Sequence, residues 1–126
     1  MKGILFIALG GSLGAVCRWA LASWIERGMS TTFPLGIFTA NILGCFLFGI
    51  LFGLGETREW MSGVVPLFCF TGFLGSFTTF STFSWINLEL LKNGQFGMAL
   101  LNIGLSIFLG LAGVWGGYVL ATLPNR

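Results

Sequence analysis

The segment Cys69–Ser84, reading Cys-Phe-Thr-Gly-Phe-Leu-Gly-Ser-Phe-Thr-Thr-Phe-Ser-Thr-Phe-Ser, gathers most of the groups in this chain that could do chemistry. Gly72 and Gly75 are followed by closely spaced hydroxyls running to Ser84, a composition that makes poor regular helix. A break is expected around Gly72 to Thr79. In a membrane, a broken helix exposes backbone carbonyls and N–H groups, which is tolerated only inside protein or against a cavity, where ion sites form. Beyond the break, Phe80 and Phe83 are three apart and share one helix face, with Phe77 a turn earlier and Ser81, Thr82 and Ser84 beside them. An aromatic ring has a negative face but a positive edge. Rings presented edge-on among hydroxyl donors can surround a small anion without a fixed charge that would trap it, and conduction needs such weak, multiple sites. The same spacing also serves plain helix packing in a chain with 14 Phe.

Other polar residues interrupt apolar runs elsewhere. Asn41, with Thr39 close by, sits in Gly36–Gly44; its amide can donate two hydrogen bonds to an anion, or serve an interhelical hydrogen bond alone. Asn102 and Ser106 are four apart, with Gly110 continuing the line, so they extend a polar track or act structurally. Arg18 lies two-thirds along the first apolar run. Placing it in hydrocarbon costs at least about 2.5–3.5 kcal/mol, so it either faces protein or water or snorkels to the headgroups. Its sign favours an anion, because a small-cation exporter would need a membrane-embedded carboxylate.

That carboxylate is missing. Glu26, Glu56, Glu59 and Glu89 all lie outside the middle of the apolar runs, and the chain contains neither Asp nor His. Acid–base dyads, catalytic triads and most metal sites therefore lack their parts, and an enzyme is not expected. Cys17, Cys45 and Cys69 show no CxxC spacing and read as buried packing residues. A net charge of +2 from six scattered Lys and Arg offers no basic stripe for nucleic acid.

The elements that must position these residues are hydrophobic helices. Of 126 residues, 56% are hydrophobic and 8% charged, against about 25% charged in soluble domains. Mean hydropathy is +0.94. One domain, residues 1–126, is expected to be all-α, with transmembrane helices at about 3–25, 34–55, 60–90 and 96–123, the third broken mid-membrane. Each run exceeds the roughly 20 residues that span a bilayer. Short connections carrying Glu26–Pro34, Glu56–Glu59 and Lys92–Gly94 force neighbouring helices to run antiparallel. A secretory signal, with Lys2 before an apolar run and Ala20-Leu21-Ala22 as the cleavage site, is the rival for the first run. Arg18 just before that site argues against it. Glycines four apart, at Gly10 and Gly14, Gly49 and Gly53, and Gly113 and Gly117, predict close helix approach.

With four spans, Lys2, Arg58 and Arg126 fall on one side and Arg27 and Lys92 on the other, a difference of 3 − 2 = 1. The positive-inside rule then leaves orientation undecided, and up and down copies permit an antiparallel dimer. Four tightly packed helices leave no lumen in one subunit, so a conduction path would run along a groove or between subunits. A small dual-topology exporter of drugs or guanidinium-type cations shares this size and charge balance.

Taken together, Gly10–Arg18, Thr39–Gly44 and above all Gly72–Phe83 resemble the Fluc (CrcB) family of bacterial fluoride channels, over essentially the whole chain. The resemblance implies a multi-pass protein of the bacterial inner membrane, an antiparallel homodimer with two pores at the subunit interface, and passive, selective export of cytoplasmic fluoride. It implies that Phe80 and Phe83 line the fluoride path, that Asn41 donates to the ion, and that Ser81 and Thr82 supply hydroxyls. It further implies that Ser106 belongs to the polar track, that Arg18 shapes an electropositive vestibule, and that the backbone carbonyls of Gly75 and Thr78 hold a structural sodium ion at the dimer centre. Asn102 and Gly110 are the positions where the family's usual side chains are least assured.

Overall fold

The computed structural model describes residues 1–56 and 61–123. Arg58, Glu59 and Trp60, in the second connection and at the expected start of the third span, lie outside the described residues, as does Arg126. Two uninterrupted helices open the chain, α1 over Lys2–Arg27 and α2 over Leu35–Gly55. The third span is a composite. A helical turn at Val64–Pro66 (α3) runs into a π-helix at Leu67–Leu74 (π1) and on into Gly75–Phe77 (α4). The chain then leaves helical geometry at Thr78 (φ −86°, ψ 157°) and Thr79 (φ −151°, ψ 119°), and resumes as α5 over Phe80–Lys92. Helix α6 covers Phe96–Thr122. Four spans, Lys2–Arg27, Leu35–Gly55, Val64–Lys92 and Phe96–Thr122, are long and apolar enough to cross a membrane, so this is an all-helical, multi-pass membrane protein.

The reversal between α5 and α6 follows from one residue. Gly94 adopts φ +74°, open to glycine at no steric penalty, and this lets the Gly94 N–H reach the Leu91 carbonyl at 3.1 Å and the Gln95 N–H the Leu90 carbonyl at 2.8 Å. These two bonds cap α5 and turn the chain back on itself.

Packing relies on small residues, since lipid supplies no hydrophobic force to press helices together. The buried apolar residues are Ala22, Ala40, Ala99 and Ala121, with Leu74, Phe77 and Leu90. Helix α2 lies along α6, and α1 along π1. The expected glycine seams sit at these contacts: a Cβ on Gly49 would strike the Val114 carbonyl oxygen, one on Gly117 the Phe46 carbonyl oxygen, and one on Gly10 or Gly14 the backbone of π1. Gly113 is looser, with its nearest neighbours at 3.5 Å. The cysteines do not fit the expectation of burial: Cys17 is exposed, and Cys45 and Cys69 are half-buried. Burial habits learned in water do not hold where the outer face meets acyl chains.

Helix α5 leans on α6 while touching α2 little. The gap between them is an open groove of about 550 Å³, and the break in the third span forms part of its wall.

Candidate functional site

Leaving the helix at Thr78 and Thr79 strands backbone groups that must find other partners in a low-dielectric setting. Asn41 on α2 supplies them. Its Oδ1 accepts the Thr79 N–H at 2.8 Å, and its Nδ2 donates to the Thr79 carbonyl at 3.2 Å, so one carboxamide pairs with both faces of one peptide residue. This fixes the amide's orientation, because N–H can only donate and a carbonyl can only accept. One of the two Nδ2 hydrogens is thereby committed to protein. Room for the break comes from Gly44, whose Cβ would collide with the Thr78 methyl and lie 3.2 Å from the Phe77 ring.

Thr79 then organises the start of α5. Its Oγ1 accepts the Thr82 N–H at 3.3 Å as an N-cap, lies 3.1 Å from Thr82 Oγ1 and donates to it, and sits 3.5 Å from Ser81 Oγ. The hydroxyls of Ser81 and Thr82 are therefore tied through Thr79 to Asn41. Ser84 is withdrawn from the cluster, donating instead to the Phe80 carbonyl one turn back at 2.9 Å.

Phe80 and Phe83 do share a face of α5, with ring centroids 5.8 Å apart and planes tilted by 33°. Phe83 is half-buried, whereas Phe80 is 79% exposed. Phe77 does not continue their line. It is buried before the break and stacks on Phe73 at 5.7 Å, because the extended residues between Phe77 and Phe80 reset the direction of the chain.

On α6, Ser106 donates to Asn102 Oδ1 at 3.4 Å. Asn102, 2% exposed, donates through Nδ2 to Asn87 Oδ1 at 3.1 Å, and Asn87 donates to the Phe83 carbonyl at 2.9 Å. Gly110 is buried on the same helix, close to Cys45.

The groove brings together Asn41, Gly75, Thr78, Phe80, Phe83 and Ser106, all singled out in the sequence. Its wall also includes Thr79, which the sequence offered only as the end of the break, and Cys45, which it offered only as a packing residue. Ser81 and Thr82 stand behind Thr79 and do not line it, and Arg18 reaches the break from α1, with Nη1 3.5 Å from the Thr78 carbonyl. The Arg18 side chain thus points at protein, although the residue is only partly buried. Because the Thr79 N–H is taken by Asn41, the Gly75 carbonyl loses the partner that a continuous helix would give it. Gly75 and Thr78 both line the groove, and the Thr78 carbonyl accepts from Arg18 Nη1 at 3.5 Å. Among the described residues no group of three or more His, Cys, Asp or Glu is placed to hold a metal ion.

A family model described as CrcB-like protein, Camphor Resistance (CrcB), matches residues 5–118. The chain belongs to the CrcB family. Among its CrcB-family relatives, a protein of Flavobacterium psychrophilum named fluoride-specific ion channel FluC is 45% identical over 121 residues, 96% of this chain and 98% of the relative. One of the same name from Maridesulfovibrio salexigens is 42% identical, covering 98% of each chain. Another, from Acidobacterium capsulatum, is 42% identical over 91% of this chain and 92% of its own. The match to the CrcB family therefore takes in all four spans, the break and the groove.

Proposed function

We propose that this chain is the subunit of a fluoride-selective channel that lets cytoplasmic fluoride leave a bacterial cell passively across its inner membrane. The observation that carries the reading is the near-full-length identity to relatives named fluoride-specific ion channels. The groove supports it chemically: phenylalanine rings, an amide and hydroxyls surround it, and among the described residues no carboxylate or lysine lines it. A cation exporter would need an anionic site there.

In one chain the path is only half built, since the groove is open and Phe80 stands largely uncovered. A second copy, inverted in the membrane, would close it. The near-balance of Lys and Arg across the two sides agrees with insertion in both orientations. An antiparallel homodimer has two such grooves, hence two pores. At its centre the carbonyls of Gly75 and Thr78 would hold a sodium ion, a hard cation suited to backbone oxygens, with further oxygens from the second copy.

Fluoride shed of its water needs close donors in return. The ring edges of Phe80 and Phe83, the second amide hydrogen of Asn41 and the hydroxyl of Ser106 supply them, with the Ser81 and Thr82 hydroxyls linked to the groove wall through Thr79, while Arg18 makes the approach electropositive. Fluoride that enters as the neutral acid ionises in the cytoplasm, and a negative-inside potential drives it out at about 2.3 kcal/mol per 100 mV. Transport of this kind involves no catalytic step. Purified protein in fluoride-loaded liposomes should release fluoride electrogenically and retain chloride; fluoride held back by liposomes containing assembled dimers would overturn the reading.

A further inference from the structure

Between α5 and α6 lies a line of hydrogen bonds that the ion path does not itself require: Phe83 carbonyl, Asn87, Asn102, Ser106. Its two amides are almost fully buried, Asn87 at 5% exposure and Asn102 at 2%. No buried side-chain polar atom among the described residues is left without a partner, so these amides have their needs met inside the helix pair.

The direction of the line is dictated from one end. The Phe83 carbonyl can only accept, so Asn87 must turn Nδ2 toward it and Oδ1 toward α6. Facing that oxygen, Asn102 must present its own Nδ2, which leaves its Oδ1 toward Ser106. Ser106 can then meet Asn102 only as a donor. Its proton points into the protein and its lone pairs point at the groove it lines. For an anion that is the wrong way round.

We propose that Asn87 and Asn102 are positioning residues that set the hydrogen-bond polarity of Ser106, holding its hydroxyl proton away from the groove until an anion draws it off. The inference rests on the groove being the fluoride path. The bond to Asn102 is long, at 3.4 Å, so the hydroxyl rotates readily, but each rotation strips a buried carboxamide oxygen of its donor. Ser106 is thereby a weak and temporary station, where a free hydroxyl would hold fluoride longer. Asn87, on the other side of Asn102 from the groove, exerts the control through one intervening residue.

Fluoride efflux measured against fluoride concentration in liposomes tests this. Asn102→Leu removes the oxygen that holds the proton, and the half-saturating fluoride concentration should fall roughly three- to tenfold. Asn87→Leu leaves Asn102 free to flip and offer Nδ2 to Ser106, so it should shift half-saturation in the same direction without touching the groove. In a Ser106→Ala background neither substitution should shift it further. An unchanged half-saturation in both leucine variants, or a shift that persists without the Ser106 hydroxyl, would overturn the proposal. A purely structural role would instead lower maximal flux in both backgrounds with half-saturation constant. The parent and Ser106→Ala proteins are measured first: absence of fluoride flux in the parent condemns the channel reading, whereas parent flux with unshifted variants condemns only the relay.

Discussion

Asn41→Ala tests how the break in the third span is held. The substitution leaves the Thr79 N–H and carbonyl without their partners at 2.8 and 3.2 Å, at a residue 9% exposed. An unsatisfied buried polar group costs about 1–3 kcal/mol, so two cost about 2–6 kcal/mol. Thr79→Val provides the scale. It keeps the backbone pairing with Asn41 and removes the hydroxyl that caps the Thr82 N–H, a cap worth about 0.5–2 kcal/mol, together with its contacts to the part-exposed Thr82 and Ser81 hydroxyls.

Equilibrium unfolding in mixed detergent micelles, followed by the fluorescence of the five tryptophans, should therefore rank parent above Thr79→Val above Asn41→Ala. Asn41→Asp sharpens the test. It keeps an acceptor for the Thr79 N–H but sets a second oxygen against the Thr79 carbonyl and adds negative charge beside an anion path, so flux should fall below detection while some stability returns. Asn41→Ala unfolding with the parent, or Asn41→Asp conducting at the parent rate, would show that this amide does not splint the break.

Three further outcomes follow from the same geometry. Phe80→Ile and Phe83→Ile, which remove a polarised ring edge at similar bulk, should each cut fluoride efflux at least about tenfold, the worth of 1.4 kcal/mol, with the dimer intact on size exclusion. Gly49→Ala should abolish stable assembly, since its Cβ meets the unyielding Val114 carbonyl, whereas Gly97→Ala meets nothing within 4 Å and should leave unfolding unchanged or improved by up to about 1 kcal/mol. Efflux at fixed fluoride ion concentration should be flat from about pH 5.5 to 8, because the chain has no histidine to titrate there; a bell or a slope would point to proton coupling.

The four spans were legible because each apolar run alone is long enough to cross a bilayer, and no tertiary information is needed to see that. The break was legible to within the window Gly72 to Thr79, and it falls at the far end of that window. Gly72 and Gly75 draw attention to the start of the window, yet the chain departs from helix at Thr78 and Thr79, where a partner on α2 captures the peptide. Gly72 serves a different end, letting α1 approach until a Cβ there would lie 2.8 Å from the Ile7 carbonyl oxygen. Thr79 looked like one hydroxyl among many, and its role as hub depends on Asn41, 38 residues away. Asn87 went unnoticed because it precedes Glu89 and Lys92 and reads as a polar helix end. Its spacing of four from Phe83 was the available signal, and only the facing Asn102 gives that spacing meaning. The π-helix at Leu67–Leu74 had no local signature at all.

These bonds also suggest why a path of this kind would favour the small halide. Around the groove nearly every donor is already engaged: Asn41 with Thr79, Thr79 with Thr82, Ser106 with Asn102, and Arg18 with Thr78. Beyond the ring edges and the second amide hydrogen of Asn41, an entering ion must therefore outbid a protein acceptor for each shared hydrogen. Fluoride, compact and strongly accepting, repays the exchange nearly in full, so it neither stalls nor is refused. A larger halide spreads the same charge over more surface, accepts each hydrogen more weakly, and fails at every station. Selectivity built this way resides in the competition between ion and protein oxygen. Cutting the internal bonds while leaving the groove its size should therefore narrow the gap between fluoride and chloride before it stops the flow.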